Sequence, residues 1–296
     1  MDTLIKNLNY ILINSYSRSG STILEKLILQ NFNAIGIGEL KHIWERGFIQ
    51  NLNCSCGVEF QKCSFWSKVY NFYKENNIDW NQIENLRLNL DRNRFYIFFE
   101  VMKFKNTKYN LKKEKYRKEL IRLIELIIQY SGKTLIIDSS KDPAHAGFLN
   151  KIFSIKNIFL LRESRGVINS YKKNIHYDKA NGIKFDKKIS VRTFIEWFII
   201  NLLIIFSSRN YFFIEYKNIS NNLDNLITNL DLDNYKTNNN FSYHSISGNP
   251  VRFEKKFIFD QRGISKKQNS FYDHILNFFD YIIKKAAKKN CINKTL

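Results

Sequence analysis

The sequence predicts a doubly wound α/β fold, with a central parallel sheet of about five strands flanked by helices. Three observations lead there. Strand-like runs are continuous and apolar rather than alternating, as suits strands buried on both faces. Between them lie longer segments with helical spacing. The chain of 296 residues is 44% hydrophobic and shows no linker, so one domain over residues 1–296 with a substantial core is expected and wholesale disorder is excluded.

Taken in order, the strand-like runs are Tyr10 to Asn14, Ala34 to Gly38, Thr134 to Asp138, Asn157 to Leu161 and Tyr211 to Glu215. Helical spacing marks Thr22 to Asn31, Lys115 to Ser131, Pro143 to Phe153 and Ser190 to Ser208, with a last helix from about Ser270 to Lys289. Residues 51–107 break the alternation and read as an insertion covering one end of the sheet. Residues 238–263 carry few helical signals and read as a long functional loop. There is no internal repeat.

Composition narrows the partner. With 47 Lys+Arg against 27 Asp+Glu the net charge is +20, which favours an anionic partner, although a chain this rich in Asn, Ile, Lys, Tyr and Phe also accumulates lysine on a solvated face. No recognised nucleic-acid module is present, so a specific nucleic-acid partner is not expected; a basic nucleic-acid-binding protein is the remote alternative. No secretory signal opens the chain, and the longest apolar stretch, Trp197 to Phe206, is interrupted by Asn201 and falls short of the ~20 residues that span a bilayer. The expectation is a cytoplasmic protein without a transmembrane segment. Four cysteines are too few for a disulfide scaffold.

The most informative stretch runs Tyr10-Ile-Leu-Ile-Asn-Ser-Tyr-Ser17-Arg18-Ser19-Gly20-Ser21-Thr22 into Ile-Leu-Glu-Lys-Leu. A buried strand turns through small residues into a helix. The N–H groups of Ser19, Gly20, Ser21 and Thr22 are then expected to point at one place, with the positive end of the helix dipole behind them and Arg18 within the turn. This is a P-loop-like anion cradle. Against G-x-x-x-x-G-K-[ST], Gly20 matches the second Gly and Thr22 the final hydroxyl, but Ser21 stands where the lysine belongs, which disfavours cleavage of a triphosphate.

The stretch Ser17-Arg-Ser-Gly-Ser-Thr22 resembles the 5'-phosphosulfate loop of the sulfotransferases that use 3'-phosphoadenosine 5'-phosphosulfate (PAPS), in particular bacterial, carbohydrate and tyrosylprotein types. A second motif follows. Arg162 closes a strand and Ser170 lies about two helical turns on, in Leu-Arg-Glu-Ser-Arg-Gly-Val-Ile-Asn-Ser, which is similar to that family's 3'-phosphate motif. Ser245-Ile-Ser-Gly-Asn-Pro-Val-Arg252-Phe looks like the late loop that closes over the nucleotide in bacterial members, making Arg252 a further contact and Arg262 a weaker one. The Tyr216-Lys-Asn-Ile219 run resembles a degenerate form of the family's Tyr-Glu-Asp-Leu, with both acids replaced.

The resemblance implies an enzyme moving a sulfuryl group from PAPS to a hydroxyl or amine of an acceptor by metal-independent in-line displacement, leaving adenosine 3',5'-bisphosphate. Such transfer needs a base for the acceptor proton and cations for the departing oxygen. Glu39, at the end of the second strand, is the implied base; Arg18 and Lys141 are the implied cations. His42, His145 and His176 are rival bases, since cytosolic small-molecule members use a histidine. A glycan or other polymer, anionic to match the charge, is the favoured acceptor. The enzymatic alternative is a small-molecule kinase using ATP and Mg²⁺, for which Asp138 would hold the metal.

Cys54-Ser-Cys56 and Cys63 supply three potential metal ligands, one short of a closed zinc site, and Cys291 is remote. A similar C-x-C-G run recurs in bacterial sulfotransferase-like sequences. No metal ligand is therefore assigned; reduced, packed cysteines and one disulfide are both admissible.

Overall fold

The computed structural model describes residues 7–97, 102–103, 106–172, 177–178, 181–184, 189–208, 210–219, 229–236, 242–254 and 271–292. The chain opens with β1 (Asn9–Asn14), α1 (Ser21–Asn31) and β2 (Ile35–Gly38). A 3₁₀ turn (Leu40–His42) leads into a π-helix (Ile43–Ile49), and α2 (Trp66–Glu75), α3 (Trp80–Leu90) and α4 (Thr107–Ser131) follow. Next come β3 (Leu135–Asp138), α5 (Pro143–Leu149), β4 (Ile155–Leu161) and α6 (Ser164–Lys172). A two-residue hairpin, β5 (Tyr177–Asp178) with β6 (Ile183–Lys184), precedes α7 (Ser190–Ser207), β7 (Tyr211–Glu215), β8 (Ser242–Tyr243) and α8 (Phe271–Asn290).

The main sheet is parallel throughout, with strand order β7-β4-β1-β3-β2-β8. All five strands expected from the apolar runs are present. The sixth, β8, is two residues long and too short to carry a periodic signal. Successive residues of β1 point to opposite faces. Tyr10 and Leu12 join a core built with α4 and the aromatic side chains of the insertion, among them Trp44, Phe48, Phe60, Trp66 and Tyr73. Ile11 and Ile13 pack with Leu24 and Ile28 of α1 on the other face. Each such aliphatic side chain removed from water contributes about 1.5–3 kcal/mol, before conformational entropy is subtracted.

Local chemistry sets the element ends. Asp79 caps α3 by accepting from the Asn81 and Gln82 amides at 2.9 and 3.1 Å, and Asn106 caps α4 by accepting from the Tyr109 amide. Thus α4 begins eight residues before the expected Lys115, because its first turns are polar and exposed and show little periodicity. Pro143 follows the Asp142 cap as the first residue of α5. The segment read as a bare insertion contains α2 and α3, and it shares its core with α4.

Helix α7 is 18 residues long and, by length and composition, sufficient to cross a membrane, with 28% of that span buried. Asn201 does not interrupt it, since its side-chain amide donates to the Trp197 carbonyl one turn back. Trp197, Ile204 and Ile205 pack into the core beside β4 and β7, while Ile195, Ile199 and Phe206 stay exposed.

Strand order reverses direction around β1, with β3 and β2 on one side and β4 and β7 on the other. A crevice outside the carboxyl ends of the strands is expected at such a switch point. The turn after β1 and the segment after β4 flank it.

Candidate functional site

The turn after β1 opens a cleft of about 340 Å³. Gly20 immediately precedes α1 in a left-handed conformation (φ 95°), and a Cβ there would lie 2.4 Å from the Tyr216 ring, so both backbone and space demand glycine. Helix α1 starts at Ser21, so the amides of Ser21 and Thr22 belong to its first turn, where no intrahelical acceptor is available, and both residues line the cleft. Ser17, Arg18 and Gly20 line it as well. Ser19 does not: it is buried, and its amide donates to the Tyr16 carbonyl at 3.2 Å, closing the turn that presents its neighbours. Arg18, also at positive φ (69°), has its guanidinium 5.7 Å from the Tyr171 ring centre, and burial lowers its pKa.

Arg162 and Ser170 line the same cleft from the β4–α6 side. The Arg162 guanidinium lies 4.5 Å from the Tyr216 ring centre, and its Nη1 donates to the Arg18 carbonyl at 2.7 Å. One side chain therefore couples the two motifs read separately in the sequence. Helix α6 is anchored from behind. Asp280 of α8 accepts from the Ser164 amide at 2.9 Å and from its hydroxyl, and Arg165 is ion-paired with Asp273.

The late loop reaches the cleft through Gly248, Asn249 and Val251. Arg252 departs from expectation. It is buried, donates to the Gly248 carbonyl at 2.9 Å and stacks on Phe253, so it shapes the loop from within rather than lining the cleft. Lys26 of α1, buried, donates to the Val251 and Glu254 carbonyls and ties the loop to the helix. Arg262 lies outside the described residues, as does His176.

At the inner end of the cleft, Glu39 forms an ion pair with Lys141, accepts from the Ser247 hydroxyl at 2.6 Å and lies 3.5 Å from Arg46 Nη1. Burial alone would raise its pKa. Lys141, then Arg46 and His42, overcome that and hold the carboxyl well below the usual range, so it is ionised at neutral pH. Arg46 was not visible as a site residue in the sequence; the π-helix that carries it brings it onto Glu39 and Ser247.

A second chamber of about 350 Å³ shares Ser17, Glu39 and Lys141 with the cleft. Its remaining walls include Tyr16, His42, Asn93, Asp142, Glu196 and Ile199. His42, half-buried and 3.6 Å from Glu45, stands in this chamber with its pKa lowered by burial. Among the described residues that line it, three carboxylates stand with one lysine and this histidine.

Two other expectations meet a buried polar network instead. Asp138 is fully buried and accepts from the Tyr10 hydroxyl at 2.6 Å and from the Ser140 amide and hydroxyl at 2.7 and 2.5 Å. It does not face the cleft, which removes the placement that the kinase reading requires of it. His145 is equally buried, 2.7 Å from Asp91 and 3.5 Å from Asp138. Burial lowers its pKa, but Asp91 and Asp138 outweigh that and raise it to about 9. A charged histidine enclosed this way holds structure and is not placed to accept an acceptor's proton.

Compared with family models, with curated proteins and with solved structures, the chain matches none of them.

Proposed function

We propose that this protein transfers a sulfuryl group from PAPS to a hydroxyl of an acceptor. The observation that carries the reading is convergence. The helix-opening turn Ser17–Thr22 and the Arg162–Ser170 pair, separated by some 140 residues of chain, line one cleft that ends at an ion pair shared with a second chamber. Two sets of anion-binding groups lining one cleft, joined where Arg162 bonds the Arg18 carbonyl, suit a donor with phosphate groups at both its 5' and 3' positions.

PAPS supplies an activated sulfur whose bond to the bridging phosphate oxygen breaks as the acceptor oxygen attaches. The amides of Ser21 and Thr22 hold the 5' end, and Arg162 with Ser170 holds the 3'-phosphate. Arg18 and Lys141 stabilise the charge that grows on the departing oxygen. Glu39 takes the acceptor's proton. Its pairing with Lys141 makes it a weak base while the site is at rest; when Lys141 turns to the departing oxygen, the carboxylate loses its strongest stabilising charge and its affinity for a proton rises. The second chamber, with Tyr16 and Ile199 beside polar groups, suits an uncharged hydroxyl compound with an apolar part.

Calorimetry with adenosine 3',5'-bisphosphate tests the assignment. Arg18→Ala and Ser170→Ala are each expected to weaken binding sharply, and unchanged affinity in both refutes the site.

A further inference from the structure

Three cysteines in the insertion and one histidine 181 residues beyond the last of them meet at a single point. Cys54 and Cys63 Sγ are 3.6 Å apart, Cys56 and Cys63 Sγ are 3.6 Å apart, and His244 Nδ1 lies 3.4 Å from Cys63 Sγ and 3.8 Å from Cys54 Sγ. All four donor atoms fall within 4.8 Å of one another. A tetrahedral zinc ion with Zn–S of about 2.3 Å and Zn–N of about 2.0–2.1 Å requires S···S separations of about 3.8 Å and S···N separations of about 3.5 Å. Cys54–Cys63, Cys56–Cys63, Cys63–His244 and Cys54–His244 stand close to those separations, and the remaining two pairs lie within 4.8 Å. We propose that Cys54, Cys56, Cys63 and His244 form a structural zinc site, a reading independent of the sulfuryl-transfer assignment.

The surroundings are those of a thiolate–metal turn. Gly57, at φ 97°, closes the turn after Cys56, and its amide donates to the Cys54 carbonyl at 2.9 Å. Backbone amides point at the sulfurs: that of Cys56 at Cys54, that of Val58 at Cys56, and those of Phe65 and Trp66 at Cys63. Such N–H groups stabilise thiolate charge and fix its direction. His244 is held from both sides of its own backbone. Its amide donates to the Gly36 carbonyl at 2.8 Å, and its carbonyl accepts from the Trp66 indole at 2.6 Å. Ser55, between the first two cysteines, adds three further bonds to the same strand end: its amide to the Ser245 carbonyl, its hydroxyl to the Tyr243 carbonyl, and the Ser245 amide to its hydroxyl. Four ligands and no open position define a closed site, whose metal is structural.

The placement has a consequence for the cleft. His244 precedes by three residues the Ser247 whose hydroxyl donates to Glu39. A zinc ion here fastens the insertion to the start of the late loop, and so fixes the backbone that carries Ser247 and Gly248 to the cleft.

The test is metal analysis of the full chain purified without added metal and without an affinity tag that binds metal. One equivalent of zinc per chain is expected. Cobalt exchanged into the wild-type protein is expected to show the intense visible bands of a tetrahedral ion and the near-ultraviolet charge transfer of thiolate ligation. His244→Ala should weaken zinc, measured against a competing chelator, by at least about 100-fold, the upper end of what losing an outer-shell partner costs. Cys291→Ser, which alters a buried cysteine bonded to the Lys288 carbonyl far from the cluster, should leave the zinc content unchanged. Should His244→Ala fail to fold, the cobalt spectrum of the wild-type protein decides alone. Folded wild-type protein that holds no zinc and takes up none, or that holds iron instead, overturns the assignment.

Discussion

Replacing Arg162 by lysine separates the two jobs assigned to this side chain. Arg162 donates through Nη1 to the Arg18 carbonyl at 2.7 Å, lies on the Tyr216 ring and also lines the cleft. A lysine keeps the charge but not the planar fork, so it cannot hold the turn and a phosphate together with the same geometry. One charge-assisted hydrogen bond to the ligand is lost, worth about 1.5–3 kcal/mol, or about 10- to 100-fold in affinity. The assay is calorimetry of adenosine 3',5'-bisphosphate and adenosine 5'-phosphate against wild type and Arg162→Lys. Any loosening of the turn weakens both ligands alike; loss of the 3'-phosphate contact weakens only the bisphosphate. The preference for bisphosphate over monophosphate is therefore expected to fall at least about tenfold in the variant. An equal loss for both ligands refutes the 3'-phosphate role and leaves Arg162 as a support for the turn.

Glu39→Gln removes the carboxylate while keeping an acceptor for Ser247, so bisphosphate affinity should change little and turnover should fall about 10²- to 10⁴-fold, the usual share of general base catalysis; near-normal turnover transfers the role to His42. Glu25, fully buried beneath the turn, accepts from the Gly38 amide at 2.8 Å and the Ser139 hydroxyl at 2.7 Å, and burial nevertheless raises its carboxyl from 4.5 to about 8. The folded state thus favours its protonated form. Its contribution is fully present below pH 4.5 and is lost as pH rises to about 8, up to about 5 kcal/mol in all. Denaturant titrations across that range should show wild type losing stability relative to Glu25→Gln as pH rises; a difference that does not vary with pH contradicts the buried-carboxyl account.

Much of the fold could be read from the chain because a parallel sheet buried on both faces writes itself as apolar runs, and β1, β3, β4 and β7 each carry one. The site was legible where a motif is local. Gly20, Ser21 and Thr22 are adjacent, and Arg162 and Ser170 lie on one strand–helix unit. What escaped comes from distant segments brought together only by folding. Arg46 and Ser247 meet at Glu39 across 201 residues, and His244 completes a cysteine cluster 181 residues away. No periodicity or short spacing encodes such a meeting. Arg252, expected in the site from the resemblance of its loop, and His145, one of three rival bases by residue type, are both buried and bonded in the interior.

The most direct test of the account is a crystal of this protein soaked with adenosine 3',5'-bisphosphate. The 5'-phosphate is expected on the amides of Ser21 and Thr22, the 3'-phosphate against Arg162 and Ser170, and Glu39 beyond the 5' end. Density that leaves the β1–α1 turn bare, or that places the nucleotide elsewhere on the protein, contradicts it.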